Sequence, residues 1–246
     1  MKLLVCVSRV PDTTTKITFK DNGAAFNTDG VKYILNPYDE WYALVRAIEL
    51  KEQLGGTVTA IHVGPAANDT DIRKALAIGA DNAVRINAEP SSPAFVAMQI
   101  AEHAKAEGYD IIFTGKETID YNNSSVAGMI AEMLEQPFIS FGTHMDVAGN
   151  TATIAREIEG GSEVVEVDTP FVVSASKGMA EQRIPNMRGI MMAKRKPLKV
   201  VEPVAFEETA VPVHYELPPV KTGVKLVDPE NMDELVRLLH EEAKAI

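Results

Sequence analysis

Tyr109-Asp110-Ile111-Ile112-Phe113-Thr114-Gly115, followed after two residues by Thr118-Ile119-Asp120-Tyr121-Asn122-Asn123-Ser124-Ser125-Val126-Ala127-Gly128-Met129, decides the fold of this chain. The first stretch is short and apolar and closes on glycine, as buried parallel strands do. The second begins polar and passes into helical apolar spacing, which predicts a helix over Ser124–Leu134. A helix entered directly from a strand leaves its first N–H groups unpaired and turns the positive end of its dipole to the space above the sheet edge. That space suits an anion, above all a phosphate. Hydroxyl and amide side chains there either cap the helix or hold a ligand without blocking the backbone. Alone, the segment is better explained as an ordinary helix start; its neighbours argue for a ligand.

Outward from this unit the periodicity alternates. Leu3–Ser8, Thr57–Val63, Ala83–Asn87, Ile111–Thr114 and Phe171–Ala175 read as strands. Between them lie helical patterns over Asp39–Leu54, Asp69–Ile78 and Pro93–Ala106, closed by Gly55-Gly56, Gly79 and Gly108. This order predicts an α/β fold: a doubly wound, mostly parallel, Rossmann-like sheet covered on both faces. Phe138–Val167 breaks the rhythm with β-rich runs around Ala148-Gly149-Asn150 and Glu159-Gly160-Gly161, expected as an added antiparallel edge. Glu202–Gly223 carries Pro203, Pro212, Pro218 and Pro219 and reads as an extended arm. An amphipathic helix is expected over Pro229–Ala245, with Leu235, Val236, Leu238 and Leu239 on one side. The expected division is an α/β nucleotide-binding domain at 1–198 and an arm and helix at 199–246, the latter with too little core to stand alone.

Two further loops point to the same strand ends. Asn36-Pro37-Tyr38-Asp39 precedes the first long helix, and His62-Val63-Gly64-Pro65 closes the second strand. Ligands of open α/β sheets collect at the carboxyl ends of strands near the switch point. A crevice bounded by Cys6–Ser8, Val63-Gly64 and Gly115 onward would take a mononucleotide.

Composition narrows the function. The net charge of -11 over 246 residues excludes nucleic acid as a general partner. No apolar run is long enough for a membrane span, and Met1–Val7 leads into Ser8-Arg9-Val10-Pro11 as a first strand rather than a signal peptide, so a cytoplasmic location is expected. The single cysteine, Cys6, cannot form an internal disulfide or a thiolate cluster. There is no G-x-G-x-x-G after the first strand, no P-loop and no H-E-x-x-H, and five histidines are scattered without ligand spacing. Nothing resembles a self-contained enzyme. One stretch departs from the acidic background: Gln182–Val201 holds Arg183, Arg188, Lys194, Arg195, Lys196 and Lys199 and no acid, interleaved with Ile184, Met187, Ile190, Met191 and Met192. Flexible methionines beside cations suit a surface that meets more than one partner.

The run Ile154-Ala155-Arg156-Glu157-Ile158-Glu159-Gly160-Gly161-Ser162-Glu163-Val164-Val165, continuing to Pro170-Phe171-Val172-Val173-Ser174, resembles the signature of electron-transfer flavoprotein beta subunits. Asp29-Gly30-Val31 with Asn36-Pro37, Ala75–Asp81, Gly115-Lys116 with Ile119-Asp120, and Pro185-Asn186 before Ala193–Lys196 are similar too. The likeness covers nearly the whole chain. It implies a heterodimer with an alpha subunit that holds most of the FAD site, receiving electrons from flavin dehydrogenases and passing them to a membrane quinone-linked oxidoreductase. It also implies an AMP against Cys6, Asn36, Pro37, Tyr38, Asp39, Val63 and the run Thr118, Ile119, Asp120, Tyr121, Asn122, Asn123, Ser124, Ser125, Val126, Ala127, Gly128 and Met129. The docking loop for dehydrogenases would fall at Arg183–Met192, where Met187-Arg188-Gly189 looks like an insertion beside Pro185-Asn186. Its apolar anchor is Ile184 or Met187, flanked by Arg188. Electron-bifurcating relatives hold a second FAD in place of AMP and have Gly-Asp-Thr where this chain has Tyr121-Asn122-Asn123. That difference favours AMP. A nucleotide-binding regulator of the universal-stress-protein type shares the sheet but has no need of the arm or the basic loop.

Overall fold

The computed structural model describes residues 1–246. In chain order the strands and helices are β1 (Lys2–Cys6), β2 (Arg9–Pro11), β3 (Phe19–Lys20), β4 (Ala25–Phe26), β5 (Tyr33–Leu35), α1 (Asp39–Leu54), β6 (Thr57–Val63) and α2 (Asp69–Ile78). Next come β7 (Asn82–Ile86), α3 (Pro93–Glu107), β8 (Ile111–Gly115), α4 (Val126–Leu134), β9 (Phe138–Ala148), β10 (Thr151–Ile158), β11 (Gly161–Asp168) and β12 (Phe171–Ala175). The last are α5 (Met187–Ala193), β13 (Leu198–Val201) and α6 (Met232–Arg237), which runs into one wide π-turn at Leu238–Glu242.

Nine strands form one sheet in the order β11-β10-β9-β12-β8-β1-β6-β7-β13. From β9 to β13 every neighbour is parallel, and β10 and β11 extend the β9 edge antiparallel, as expected for Phe138–Val167. The central strands are apolar on both faces, and their period of two sorts them into two cores. Leu3, Val5, Val58, Ala60, Ile111 and Phe113 pack with α1 and α2 residues such as Leu44, Ile48, Ile72 and Leu76. Leu4, Cys6, Ile61, Val63 and Ile112 face the other way, toward Ile100 and Ala104 of α3 and Ile130 of α4. The sheet is doubly wound because consecutive side chains of one strand belong to opposite cores.

Helix ends follow local chemistry. Gly55 and Gly108 close α1 and α3 with φ of 76° and 68°, values reserved largely for glycine. Ser92 caps α3, its Oγ accepting from Phe95 N–H at 3.0 Å, with Pro93 in the first turn. The α2 end is held from outside: Lys196 Nζ donates to Leu76 O and Ala80 O at 2.9 and 2.6 Å. Lys196 is thus a helix cap rather than part of a steering surface.

The chain divides into two compact units, Met1–Lys16 with Thr28–Pro212, and Ile17–Asn27 with Val213–Ile246. The sequence reading divides at 198/199, whereas β13 pairs with β7 and residues through 212 stay with the sheet. The second unit joins the β3–β4 ribbon to the C-terminal segment: Phe19 stacks on Tyr215 at 5.6 Å between ring centroids, and Tyr215 N–H donates to Gly23 O at 2.8 Å. The expected helix over Pro229–Ala245 is much shorter. Asn231 caps Met232–Arg237, and of the four predicted apolar residues Leu238 alone is buried.

Candidate functional site

A cavity of about 440 Å³ opens at the carboxyl ends of β1, β6 and β8. The turn after β8 supplies Lys116, Glu117, Thr118, Asp120, Tyr121 and Asn123, and the start of α4 supplies Ser124, Ser125, Val126 and Ala127. From β1 come Cys6 and the residues just past it, Val7, Ser8 and Arg9; from β6 come Ile61, His62 and Val63, with Asn68 beyond. Pro90–Pro93, Val96 and Ile100 form another wall, and Ala210-Val211-Pro212 completes the boundary. That last segment is strapped over α3. Gln99 donates to Val204 O at 2.9 Å and accepts from Val204 N–H at 2.7 Å, Phe206 meets Phe95 edge-on, and Ser91 Oγ bonds Glu208.

The helix begins two residues later than the periodicity predicts, because Asn122 and Ser124 both adopt positive φ of 49°, which no α-helix contains. Val126 follows Ser125 as the first helical residue. Met129 N–H donates to Ser125 O at 3.1 Å, so the N–H groups of Val126, Ala127 and Gly128 have no acceptor within the helix. Ser125 precedes the helix but its side chain makes no cap bond, and Ser124 Oγ donates to Glu117 at 3.3 Å.

Of the expected contact residues, Cys6, Val63, Thr118, Asp120, Tyr121, Asn123, Ser124, Ser125, Val126 and Ala127 line this cavity together. Pro37, Tyr38, Asp39 and Ile119 instead line a second, smaller cavity of about 280 Å³, with Tyr42, Lys116, Glu117 and Lys177. Asn36 lines neither. Its amide donates to Glu117 O at 3.1 Å and accepts from Ile119 N–H at 3.0 Å, while its own N–H donates to Ser8 O at 2.8 Å. These bonds tie three loops together and use one of its two amide hydrogens and one lone pair of its oxygen. Asn122, Gly128 and Met129 stand behind the cavity wall, with Met129 packed on the α3–α4 core.

Residues that the sequence left aside do face the cavity. Glu40, one of two adjacent acids at the α1 start, is 6% exposed and accepts from Ser8 N–H at 2.6 Å and Ser8 Oγ–H at 2.7 Å. Burial pushes its carboxyl up to about 8, against the lowering effect of the two Ser8 bonds. Arg9 pairs with Asp71 at 2.9 Å and stacks over Tyr33 at 3.9 Å. Burial drives the Cys6 thiol well above its ordinary range, so it remains protonated and unreactive at neutral pH. His62 is buried, lines the cavity itself and holds Asn68 at 2.8 Å.

The basic loop forms a short helix. Asn186 caps it, its Oδ1 accepting from Gly189 N–H at 2.8 Å, so Met187-Arg188-Gly189 builds the first turn of α5. Ile184 is 83% exposed and Met187 74%, with Arg188 and Met191 exposed beside them. Arg183 grips Glu52 through two bonds of 2.8 and 3.1 Å, and Lys199 pairs with Glu107. With Lys196 spent on α2, the unpaired cations are Arg188, Lys194 and Arg195, half the number that the sequence suggests.

Residues 24–205 match the electron transfer flavoprotein domain. The chain is 37% identical to the electron transfer flavoprotein subunit beta of Bacillus subtilis over all of both chains. To the subunit of that name from Syntrophomonas wolfei it is 38% identical over 93% of this chain and 90% of the relative. For Homo sapiens the figures are 34%, 98% and 97%. The chain belongs to the electron transfer flavoprotein family as a beta subunit, a carrier of electrons rather than an enzyme.

Proposed function

We propose that this chain is the beta half of a cytoplasmic heterodimer that takes electrons from flavin dehydrogenases and delivers them to a membrane quinone-linked acceptor. The alpha subunit holds most of an FAD, and this subunit holds an AMP in the 440 Å³ cavity. The observation that carries the nucleotide assignment is the β8–α4 junction, where Val126 and Ala127, whose N–H groups have no acceptor within the helix, open it at the cavity. Charge-assisted bonds from such groups to a phosphate are worth roughly 1.5–3 kcal/mol each. Arg9 and Lys116 add positive charge on the walls, and apolar Ile61, Val63, Val96 and Ile100 suit a base. The residues present therefore fit a mononucleotide. FAD carries a second nucleotide-sized half, and the bulk of Tyr121 on the cavity wall, where bifurcating relatives have glycine, favours AMP over a second flavin.

Two surfaces support the partners. The segment Val213–Leu226 exposes Val213, Leu217, Val220, Val224 and Leu226, apolar residues that an alpha subunit would cover. Ile184 and Met187 stand out among Arg188, Lys194 and Arg195, as a small transient redox interface requires. The FAD itself, when bound, supplies the electron-carrying chemistry; this chain's part is to seat the nucleotide and present the docking helix.

The test is a nucleotide inventory of the purified heterodimer after denaturation. One FAD and one AMP are expected. Two FAD, or no adenine mononucleotide, would overturn the assignment. Ser125→Glu, which sets a carboxylate against the phosphate, should release AMP and leave one FAD.

A further inference from the structure

The exposed helix α5 is seated on α2. Seven residues are too few for a helix to persist alone, so its conformation is set from outside. Gly189 shows where. Glycine disfavours a helix relative to alanine, so its presence inside α5 calls for a packing reason. A Cβ there would lie 2.3 Å from Ala77 O of α2, where ordinary contact begins at 3.4 Å. The two helices therefore approach more closely than any side chain at this position would allow. Ala193, four residues on and on the same face, is 3% exposed and joins the core beneath. Arg73 of α2 closes the far end, its Nη1 donating to Ala193 O at 2.7 Å and to Lys196 O at 3.3 Å.

The segment before α5 is fastened to α1. Trp41, the only tryptophan, donates from Nε1 to Arg183 O at 3.1 Å, and Glu52 takes the Arg183 guanidinium. Trp41 and Glu52 stand about three helical turns apart, so both lie on one side of α1. Only Ile184 and Pro185 separate Arg183 from the Asn186 cap. Ile184 thus has fastened backbone on both sides, and Met187 opens the seated helix.

We infer that α1 and α2 form the docking surface in advance, with Trp41, Arg73 and Gly189 as positioning residues that set Ile184 and Met187 in one arrangement before a dehydrogenase arrives. This rests on the docking reading above. A surface formed in advance gives up little backbone freedom on contact, which suits a brief and repeated encounter. Adaptation to more than one partner is left to side chains: Met191 and Met192, 68% and 50% exposed, are flexible groups on a fixed backbone.

The first measurement is amide hydrogen exchange of the free heterodimer across 186–196. Ile190 N–H and Lys196 N–H, bonded to Asn186 O and Met192 O, should exchange about a hundredfold or more slowly than in an unstructured chain. Exchange at the unstructured rate would overturn the inference without any variant. The second is dehydrogenase-driven reduction with the heterodimer as the varied substrate. Gly189→Ala, which must lift α5 by about 1 Å, should raise KM about tenfold, the size of one misplaced principal contact, and leave kcat within about twofold. Arg73→Met should act in the same direction, and FAD content should not change. With Ile184→Ala and Met187→Ala already in place, Gly189→Ala should add less than about twofold, because the side chains it positions are gone. An equal cost in both backgrounds, or an unchanged KM in Gly189→Ala alone, would overturn the positioning role while the docking reading stands. Wild-type rates in the Ile184→Ala, Met187→Ala double variant would instead overturn the docking reading, and this inference with it.

Discussion

Gly115→Ala isolates the contact between the end of β8 and the start of α1. A Cβ on Gly115 would lie 2.7 Å from Glu40 N, 2.8 Å from Glu40 Cγ and 3.1 Å from Asp39 C. Ordinary contact begins at 3.4 Å, so the first turn of α1 would have to retreat by about 0.7 Å. Two of the three neighbours are backbone atoms and cannot rotate away. Overpacking of this kind costs about 1–3 kcal/mol. The same retreat would stretch the 2.6 and 2.7 Å bonds from Ser8 to the Glu40 carboxyl past good geometry, at about 1 kcal/mol each. Removing a glycine from a strand returns about 0.5–1 kcal/mol. The net loss should therefore be about 2–4 kcal/mol, large beside a typical domain stability of about 5–15 kcal/mol yet compatible with folding. Ser8 lines the cavity, so bound AMP should fall as well. Urea unfolding of the heterodimer at fixed concentration reads the first effect, and nucleotide released per complex reads the second. A midpoint shift worth less than about 0.5 kcal/mol, with AMP retained, would show that α1 yields freely and that the Glu40–Ser8 contact does not shape the site.

Truncating the docking anchor, Ile184→Ala or Met187→Ala, should slow dehydrogenase-driven reduction of the complex by an amount equivalent to roughly 1–3 kcal/mol, with FAD and AMP contents unchanged; wild-type rates in both variants and in the double mutant would place recognition elsewhere. The pH dependence of stability should carry the mark of Glu40. Its folded pKa is raised from 4.5 to about 8, mainly by burial, so its contribution is fully present below 4.5 and is lost as pH rises through about 8. His62 and His103, lowered by burial, act in the opposite sense but saturate at their ordinary value of 6.5. Between pH 6.5 and 8 stability should therefore fall, and Glu40→Gln should flatten the slope; an unchanged slope in that variant would assign it to another group.

How far the sequence could be read depended on whether the deciding contact is local. The ends of α1, α2 and α3 were legible because Gly55, Gly79 and Gly108 punctuate them. The strand set was legible because unbroken apolar runs suit burial on two faces. The start of α4 was misplaced because the left-handed turns at Asn122 and Ser124 are set by the cavity wall and not by propensity. The helix over Pro229–Ala245 was overextended because amphipathic spacing forms a long helix only when a core receives its apolar side, and Leu235 and Val236 have none within this chain. β13 was missed, since Leu198–Val201 is a half-exposed edge strand within the basic stretch. At the site, most of Thr118–Ala127 lines the cavity that the strand-to-helix pattern points to, with Ile119 and Asn122 outside it, but Glu40, Asn68 and Ala210–Pro212 reach the cavity only through pairings distant in sequence. Asn36 lines neither cavity and braces the loops around them, through bonds to residues more than eighty positions away.

The second unit has its own consequence for biogenesis. Its two pieces, Ile17–Asn27 and Val213–Ile246, lie at opposite ends of the polypeptide. A ribosome that has made the β3–β4 ribbon must add almost the whole sheet before Tyr215 can stack on Phe19. Synthesis proceeds at about 5–20 residues per second, so the ribbon waits on the order of ten seconds or more without its mate. The segment that carries Val213, Leu217 and Val220 emerges after the nucleotide cavity is complete. The order of emergence is thereby written into the chain: the walls of the cavity first, and the exposed valines and leucines of 213–226 last.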